Sequence, residues 1–524
     1  MENLLSIVLW LPFAGAIVLM AFPRRAEGAV KITALIVSLA TFGLSLAILG
    51  KFRTGTAGLQ LGETLQWIPD WGIRYALGVD GISLWLVLLT ALLTPIVLLS
   101  SWYSIHRWPK EYAIAMLALE FGMLGAFLAV DLILFYVFFE LMLIPMYLII
   151  GVWGGANRIY AAIKFFIFTI AGSLLMLLGI LYLGWLHIQQ TGVPSFAIAD
   201  LYGLTIPMKQ QVVLFFAFAL AFAIKVPLFP LHTWLPDAHV EAPTGGSIIL
   251  AGVLLKLGTY GFVRFVLPLF PDATAEWAWL FGLLGVIGIV YGALVAWVQP
   301  DMKKLVAYSS VSHLGFCVLG IFAMTGASMT GSILQSINHG ISTGALFLLV
   351  GVIYDRRHTR LMSDFGGLAK TMPVYATLFV VTALSSVGLP GLNGFVGEFL
   401  ILAGSFRTMP RLTIVATTGV ILAAIYLLWL VQRVFWGPIT NEENRNLPDI
   451  RWNELAAMLP LVVLMVWIGL WPNAFIRRIE PSVQQLLTIV SRGGEQRMIL
   501  AGPAAAPPAP ADREAQTRSN GAAR

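Results

Sequence analysis

Apolar runs of roughly 17–25 residues, separated by short polar stretches, recur along almost the whole chain. They lie at about 4–22, 30–49, 82–101, 112–130, 132–151, 161–186, 211–229, 245–267, 277–298, 303–323, 333–354, 373–402, 412–436 and 454–471. Each is long enough to cross a bilayer core. A spanning segment has to satisfy its backbone hydrogen bonds internally, so the pattern predicts fourteen membrane helices. The first run, LLSIVLWLPFAGAIVLMAF, is followed rather than preceded by basic residues. It therefore reads as a retained helix and not as a cleaved signal peptide.

Lys and Arg concentrate in the loops after the odd-numbered helices (Arg24, Arg25, Lys303, Lys304, Arg356 and Arg357 among them), sixteen residues against six in the alternate loops. Positive residues favour the inner side, which puts both ends of the chain outside. Composition agrees: of 524 residues 59% are hydrophobic and 11% charged, with a mean hydropathy of +0.86. A soluble domain is about a quarter charged. The net charge of +6 comes from the loop anchors and an Arg-bearing tail, and no nucleic-acid patch stands out. That tail, 491–524, is Ala/Pro-rich and polar and reads as disordered.

The single cysteine, Cys317, excludes a disulfide and an iron–sulfur cluster held by this chain alone. The chain has neither a GxGxxG fingerprint nor a P-loop. No cofactor is expected on it, so the chemistry falls to protonatable side chains.

Ionisable residues at mid-bilayer cost at least about 2.5–3.5 kcal/mol each and point to function. Glu140, Lys225, Lys256, His313, His339 and Glu398 all fall within spans. Either histidine alone could be a packing residue, and Glu120 reads as structural. His232, His239, Asp237 and Glu241 read as a solvated inner loop or a proton entry, and Arg264 as snorkelling outward. Lys225 precedes Pro227 and Pro230, which are expected to free the carbonyls of Ala223 and Val226 to hold water and the ammonium. A second break, GLPGLNG at 388–394, lies four residues before Glu398. Two interrupted helices, each with an ionisable residue beside the break, mark a transport site between repeats. The breaks fall in the seventh and twelfth helices, five apart, so the repeats have opposite topology. The expected fold is an all-α integral membrane protein: three peripheral helices (1–110), two inverted five-helix repeats (111–267 and 268–436), and a fourteenth helix with flanks (437–490).

The strings FFELMLIPMYLIIGVWGG, AIKVPLFPLHTWLPDAHVEAPTGGSIILAGVLLKLGTYG, DMKKLVAYSSVSHLGF and GLPGLNGFVGEFLIL closely resemble the antiporter-like subunits of respiratory complex I, the NADH:quinone oxidoreductase. The resemblance covers about residues 1–475. It implies an input pair Glu140–Lys225, a central Lys256 and an exit at Glu398, with His313 and His339 as polar linkers. It also implies NADH, FMN, iron–sulfur clusters and quinone in partner subunits, sibling antiporter-like subunits on either side, and a bacterial inner membrane. Several siblings and the related Na+/H+ antiporters carry lysine where this chain has Glu398. A subunit of such an antiporter is the alternative reading.

Overall fold

The computed structural model describes residues 3–492; the tail expectation falls outside them, apart from Ser491 and Arg492. Among the described residues, twelve helical segments are long and apolar enough to cross a membrane, from Leu4–Ala21 to Trp452–Leu470, and two shorter apolar helices, Leu84–Ser100 and Pro373–Val387, accompany them. Three spans lie at the centre, Thr244–Leu269, Met302–Phe322 and Gly326–Arg357, each almost wholly buried. The others wrap around them and turn apolar faces outward: Arg158–Thr191 exposes Ile167, Leu178 and Trp185.

The protein is mostly helical, not all-helical. Gln60–Ile68 and Ile73–Val79 form an antiparallel hairpin that pairs Thr64 with Ala76 and Gln66 with Arg74. Its turn runs through Pro69–Trp71 to Gly72, whose φ of 67° suits glycine. The hairpin reaches back to the first helix. The Glu63 carboxylate accepts from the amides of Leu5 and Ser6 at 2.7 and 3.0 Å, satisfying N-terminal donors that have no partner within the helix. At the other end of the described chain, Asn473–Ser491 is an amphipathic helix buried through Phe475, Ile479, Val483 and Leu486. Its Ser482 hydroxyl accepts from the Gly81 amide at 3.0 Å.

Arg264 does not snorkel. Its guanidinium is buried and donates to Asp80 at 2.6 Å, because the loop before Leu84–Ser100 brings a carboxylate within reach below the surface.

Close helix packing rests on glycine. A Cβ on Gly315 would lie 2.5 Å from the Gly285 carbonyl oxygen and 3.0 Å from the Ile289 nitrogen. Pro271–Trp297 and Met302–Phe322 therefore touch backbone to backbone. Gly315→Ala is expected to cost about 1–3 kcal/mol through overpacking, read as a lower melting temperature and yield of the assembled protein. Wild-type values for both would mean that the contact is loose.

Candidate functional site: a buried file of ionisable side chains

Lys225 is the last residue of the helix Met208–Lys225, and the chain then turns into the short helix Trp234–Glu241. The prolines end the helix as expected, but the Ala223 carbonyl is not left free. Ala223 accepts from the Leu228 amide at 2.8 Å, Ile224 accepts from the Trp234 indole at 2.9 Å, and Val226 lies past the helix end. The chain turns tightly enough after Lys225 for later donors to replace the missing helical ones. The ammonium, 1% exposed, has no hydrogen-bond partner. It sits 4.9 Å from the centroid of the Phe139 ring and 5.6 Å from that of Phe165, a cation–π cradle.

Glu140, in the helix Leu132–Leu141, is half-buried. Lys225 is the charge that acts on it and Ser173 the hydroxyl, yet its Oε1 also lacks a hydrogen-bond partner. The two residues face each other across a gap without forming a closed ion pair.

Lys256 is fully buried, and its helix is irregular around it. Leu250–Leu254 and Phe262–Val266 are π-helical on either side of Lys256–Gly261. Such wide turns loosen the i→i−4 pairing and recur at functional sites. The Lys256 ammonium donates to the Ala251 carbonyl of its own helix and lies 2.6 Å from His339 Nδ1.

His339 and His313 come from the two central helices Gly326–Arg357 and Met302–Phe322, with ring centroids 6.1 Å apart. His313 Nδ1 is 2.8 Å from Glu398 Oε1. The same oxygen accepts from Gln335 Nε2 at 3.0 Å, and the Tyr426 hydroxyl is 3.1 Å from His313 Nε2. Glu398 owes its place to the break. Pro373–Val387 ends at Gly388 (φ 85°), the chain turns through Gly391 (φ 93°), and Asn393–Ser405 starts a new helix that carries the acid inward. Side chains are strained at both positive φ values, which is why glycine occupies them.

Between the Lys256–His339 contact and the His313–Glu398 contact lies a cavity of about 10 Å³. His339 Nε2, Asn338 Oδ1 and Ser386 Oγ, from residues on its wall, are buried without hydrogen-bond partners. The space is near the lower limit for one water, and three polar groups are enough to hold it.

The two histidines of the inner loop are buried, while the Asp237 side chain keeps 37% exposure and Glu241 is half-buried. His239 is fully buried and stacks on Phe347, centroids 4.4 Å apart, with neither ring nitrogen partnered. Burial, reinforced by the cations Lys303 and Lys256, pushes it well below the usual histidine range, so the ring is neutral at pH 7. His232 is buried against Phe229 and Tyr291. Asp237 pairs with Lys164 at 2.6 Å, and Glu241 accepts from the Asn157 amide at 2.9 Å. Glu120 is buried with both oxygens unpartnered.

Gln335 and Tyr426 are absent from the sequence-based set. Gln335 is four residues before His339 and so shares its helix face, a signal that was available. Tyr426 stands alone in the apolar run ILAAIYLLWL, and only helix packing turns it toward His313.

A fold of long helices, two of them broken, around a buried file of amine, imidazole and carboxyl groups defines an antiporter-like membrane subunit. The family model for the NADH:quinone oxidoreductase/Mrp antiporter transmembrane region matches residues 129–425. Over 93% of its length the chain is 47% identical to NADH-quinone oxidoreductase subunit M of Rhodobacter capsulatus, covering 97% of that protein. It is 42% identical to NADH-ubiquinone oxidoreductase chain 4 of Marchantia polymorpha, covering 93% of this chain and 97% of that one. A chain in the structure of respiratory complex I from Thermus thermophilus with bound NADH superposes with a TM-score of 0.85 at 34% identity, over 93% of this chain and all of that one. The chain belongs to the subunit M (chain 4) family of NADH-quinone oxidoreductase. It is the antiporter-like, proton-translocating membrane subunit of complex I and contributes to that enzyme as one of its subunits.

Proposed function

We infer that Glu140, Lys225, Lys256, His339, His313 and Glu398 are the stations along which this subunit moves a proton. The reading rests above all on the two short contacts, Lys256–His339 at 2.6 Å and His313–Glu398 at 2.8 Å, which face one another across a water-sized gap. Protons hop only between groups in hydrogen-bond contact or bridged by one water, and one water in this gap would join Lys256–His339 to His313–Glu398. The unpaired Lys225 ammonium and the open Glu140 oxygen suit an input whose attraction changes with small movements: charge–charge energy varies steeply with distance where the dielectric is low. Electron transfer among NADH, FMN, iron–sulfur clusters and quinone takes place in partner subunits and drives that movement.

The arrangement in the membrane follows the same reading. The twelve long spans, Leu84–Ser100, and the broken pair Pro373–Val387 and Asn393–Ser405 support fourteen crossings. Residues 111–267 and 268–436 form the inverted repeats, behind the three helices of 1–110 and before the fourteenth helix and flanks of 437–490. Both ends lie on the outer side of a bacterial inner membrane, and sibling antiporter-like subunits flank the chain in the complex.

The test is Lys225→Met in the assembled complex reconstituted into vesicles. Methionine keeps the apolar stem inside the Phe139–Phe165 cradle, so assembly is expected to persist while NADH-driven proton uptake falls at least fivefold. Undiminished uptake would remove the input pair from the path.

A further inference from the structure

We propose that Tyr426 is a positioning residue that holds His313 in the one tautomer able to serve Glu398. The inference rests on the proton-path reading above and adds a residue that reading does not contain.

The hydrogen-bond inventory around His313 is closed. Glu398 Oε1 already accepts from the Gln335 amide at 3.0 Å and lies 2.8 Å from His313 Nδ1. An ionised carboxylate only accepts, so of the two neutral tautomers only the one with its proton on Nδ1 can donate to Glu398. A neutral imidazole then has only a lone pair at Nε2. Facing it at 3.1 Å is the Tyr426 hydroxyl, which is both donor and acceptor. Ser309 also lies against the phenol, but its proton goes to the Val306 carbonyl at 2.7 Å. Were the Tyr426 proton to turn to Ser309 Oγ instead, the phenol oxygen and the Nε2 lone pair would face each other at 3.1 Å with no proton between them. The Tyr426 proton therefore points at Nε2 and stabilises the Nδ1–H form.

The same geometry also works once a proton has moved on. Once a proton arriving across the water-sized gap has bound Nε2, the imidazolium passes its Nδ1 proton to Glu398 and is left neutral with the arriving proton on Nε2, which the phenol oxygen then accepts. No bond besides N–H and O–H is made or broken, and the proton lost by His313 is the one gained by Glu398. Tyr426 is fully buried on the helix Pro410–Phe435, while its neighbours Ile421, Ile425 and Leu428 are exposed on the opposite face. That helix is rigid and regular, so the hydroxyl is placed by backbone geometry and not by a loop.

Tyr426→Phe removes one oxygen and retains the ring, so the complex should assemble in normal amount. In vesicles, NADH-driven proton uptake should fall three- to tenfold. The double variant Tyr426→Phe/His313→Gln should pump no less than His313→Gln alone, because the phenol acts only through the imidazole. Infrared spectra of complex carrying ring-labelled histidine, with His313→Gln as the subtraction reference, should show a single Nδ1–H band for His313 in the wild type and a mixture of tautomers in Tyr426→Phe. An unchanged tautomer band overturns the proposal. So does a loss that adds fully to that of His313→Gln, since a phenol that only fills space would behave that way. If His313→Gln itself pumps fully, it is the proton path that fails, and the band still decides where Tyr426 points its proton.

Discussion

Lys256→Met should nearly abolish NADH-driven proton uptake, at least a twentyfold loss, in a complex that still assembles. Lys256 reaches from the span Thr244–Leu269 to His339: its ammonium is held by the Ala251 carbonyl of its own helix and lies 2.6 Å from His339 Nδ1. Methionine matches its length and shape but can neither carry a proton nor donate a hydrogen bond. The structural cost is a buried carbonyl and a buried ring nitrogen that lose their common partner, about 1–3 kcal/mol each. A twentyfold loss of rate corresponds to a barrier raised by about 1.8 kcal/mol, and an interrupted proton chain readily exceeds that. Proton uptake by reconstituted vesicles, normalised to assembled complex, is the measurement. Wild-type uptake would mean that protons bypass the centre.

Glu398 carries the second large effect, and here two variants separate chemistry from structure. Glu398→Ala leaves His313 Nδ1 and Gln335 Nε2 facing an empty space. Two buried donors without acceptors cost about 1–3 kcal/mol each, so both assembly and pumping should drop. Glu398→Gln keeps an oxygen that accepts both bonds but cannot take a proton. Its assembly should match the wild type while uptake falls at least tenfold. Normal pumping in Glu398→Gln would make Glu398 a hydrogen-bonding post and not a station. The comparison reaches past this chain, because a blocked exit should also slow quinone reduction if pumping and redox chemistry are tightly coupled.

The order of spans, the six ionisable side chains within them and both breaks could be read from the sequence because their signals are local and costly. A lysine or glutamate inside an apolar run is expensive wherever it sits, so Lys225, Lys256, Glu140 and Glu398 stand out without a structure. GLPGLNG announces a break because glycine and proline act on their own backbone. Other features were misread for the opposite reason. The Ala223 carbonyl reads as free to hold water, but whether a freed carbonyl finds a donor depends on how the chain turns afterwards, and here Leu228 supplies it. Arg264 reads as a surface anchor until Asp80, far away in sequence, arrives beside it. The hairpin at 60–79 carries an alternating strand and a Pro-Asp turn signal in TLQWIPDWGIRY, but the stronger membrane pattern on both sides masks it.

By itself, the sequence determined that the chain is a bundle of membrane helices with two interruptions and a small set of ionisable groups in the apolar phase. Those follow from transfer free energies and backbone chemistry that each segment carries alone. Only the tertiary structure decided that Lys256 meets His339, that His313 bridges Glu398 to Tyr426, that Lys225 is cradled by aromatic rings with its partner acid held at a distance, and that a water-sized gap divides the file. Proton transfer depends on separations of about 3 Å between groups on different helices, and such separations are set by helix packing, which no single segment encodes.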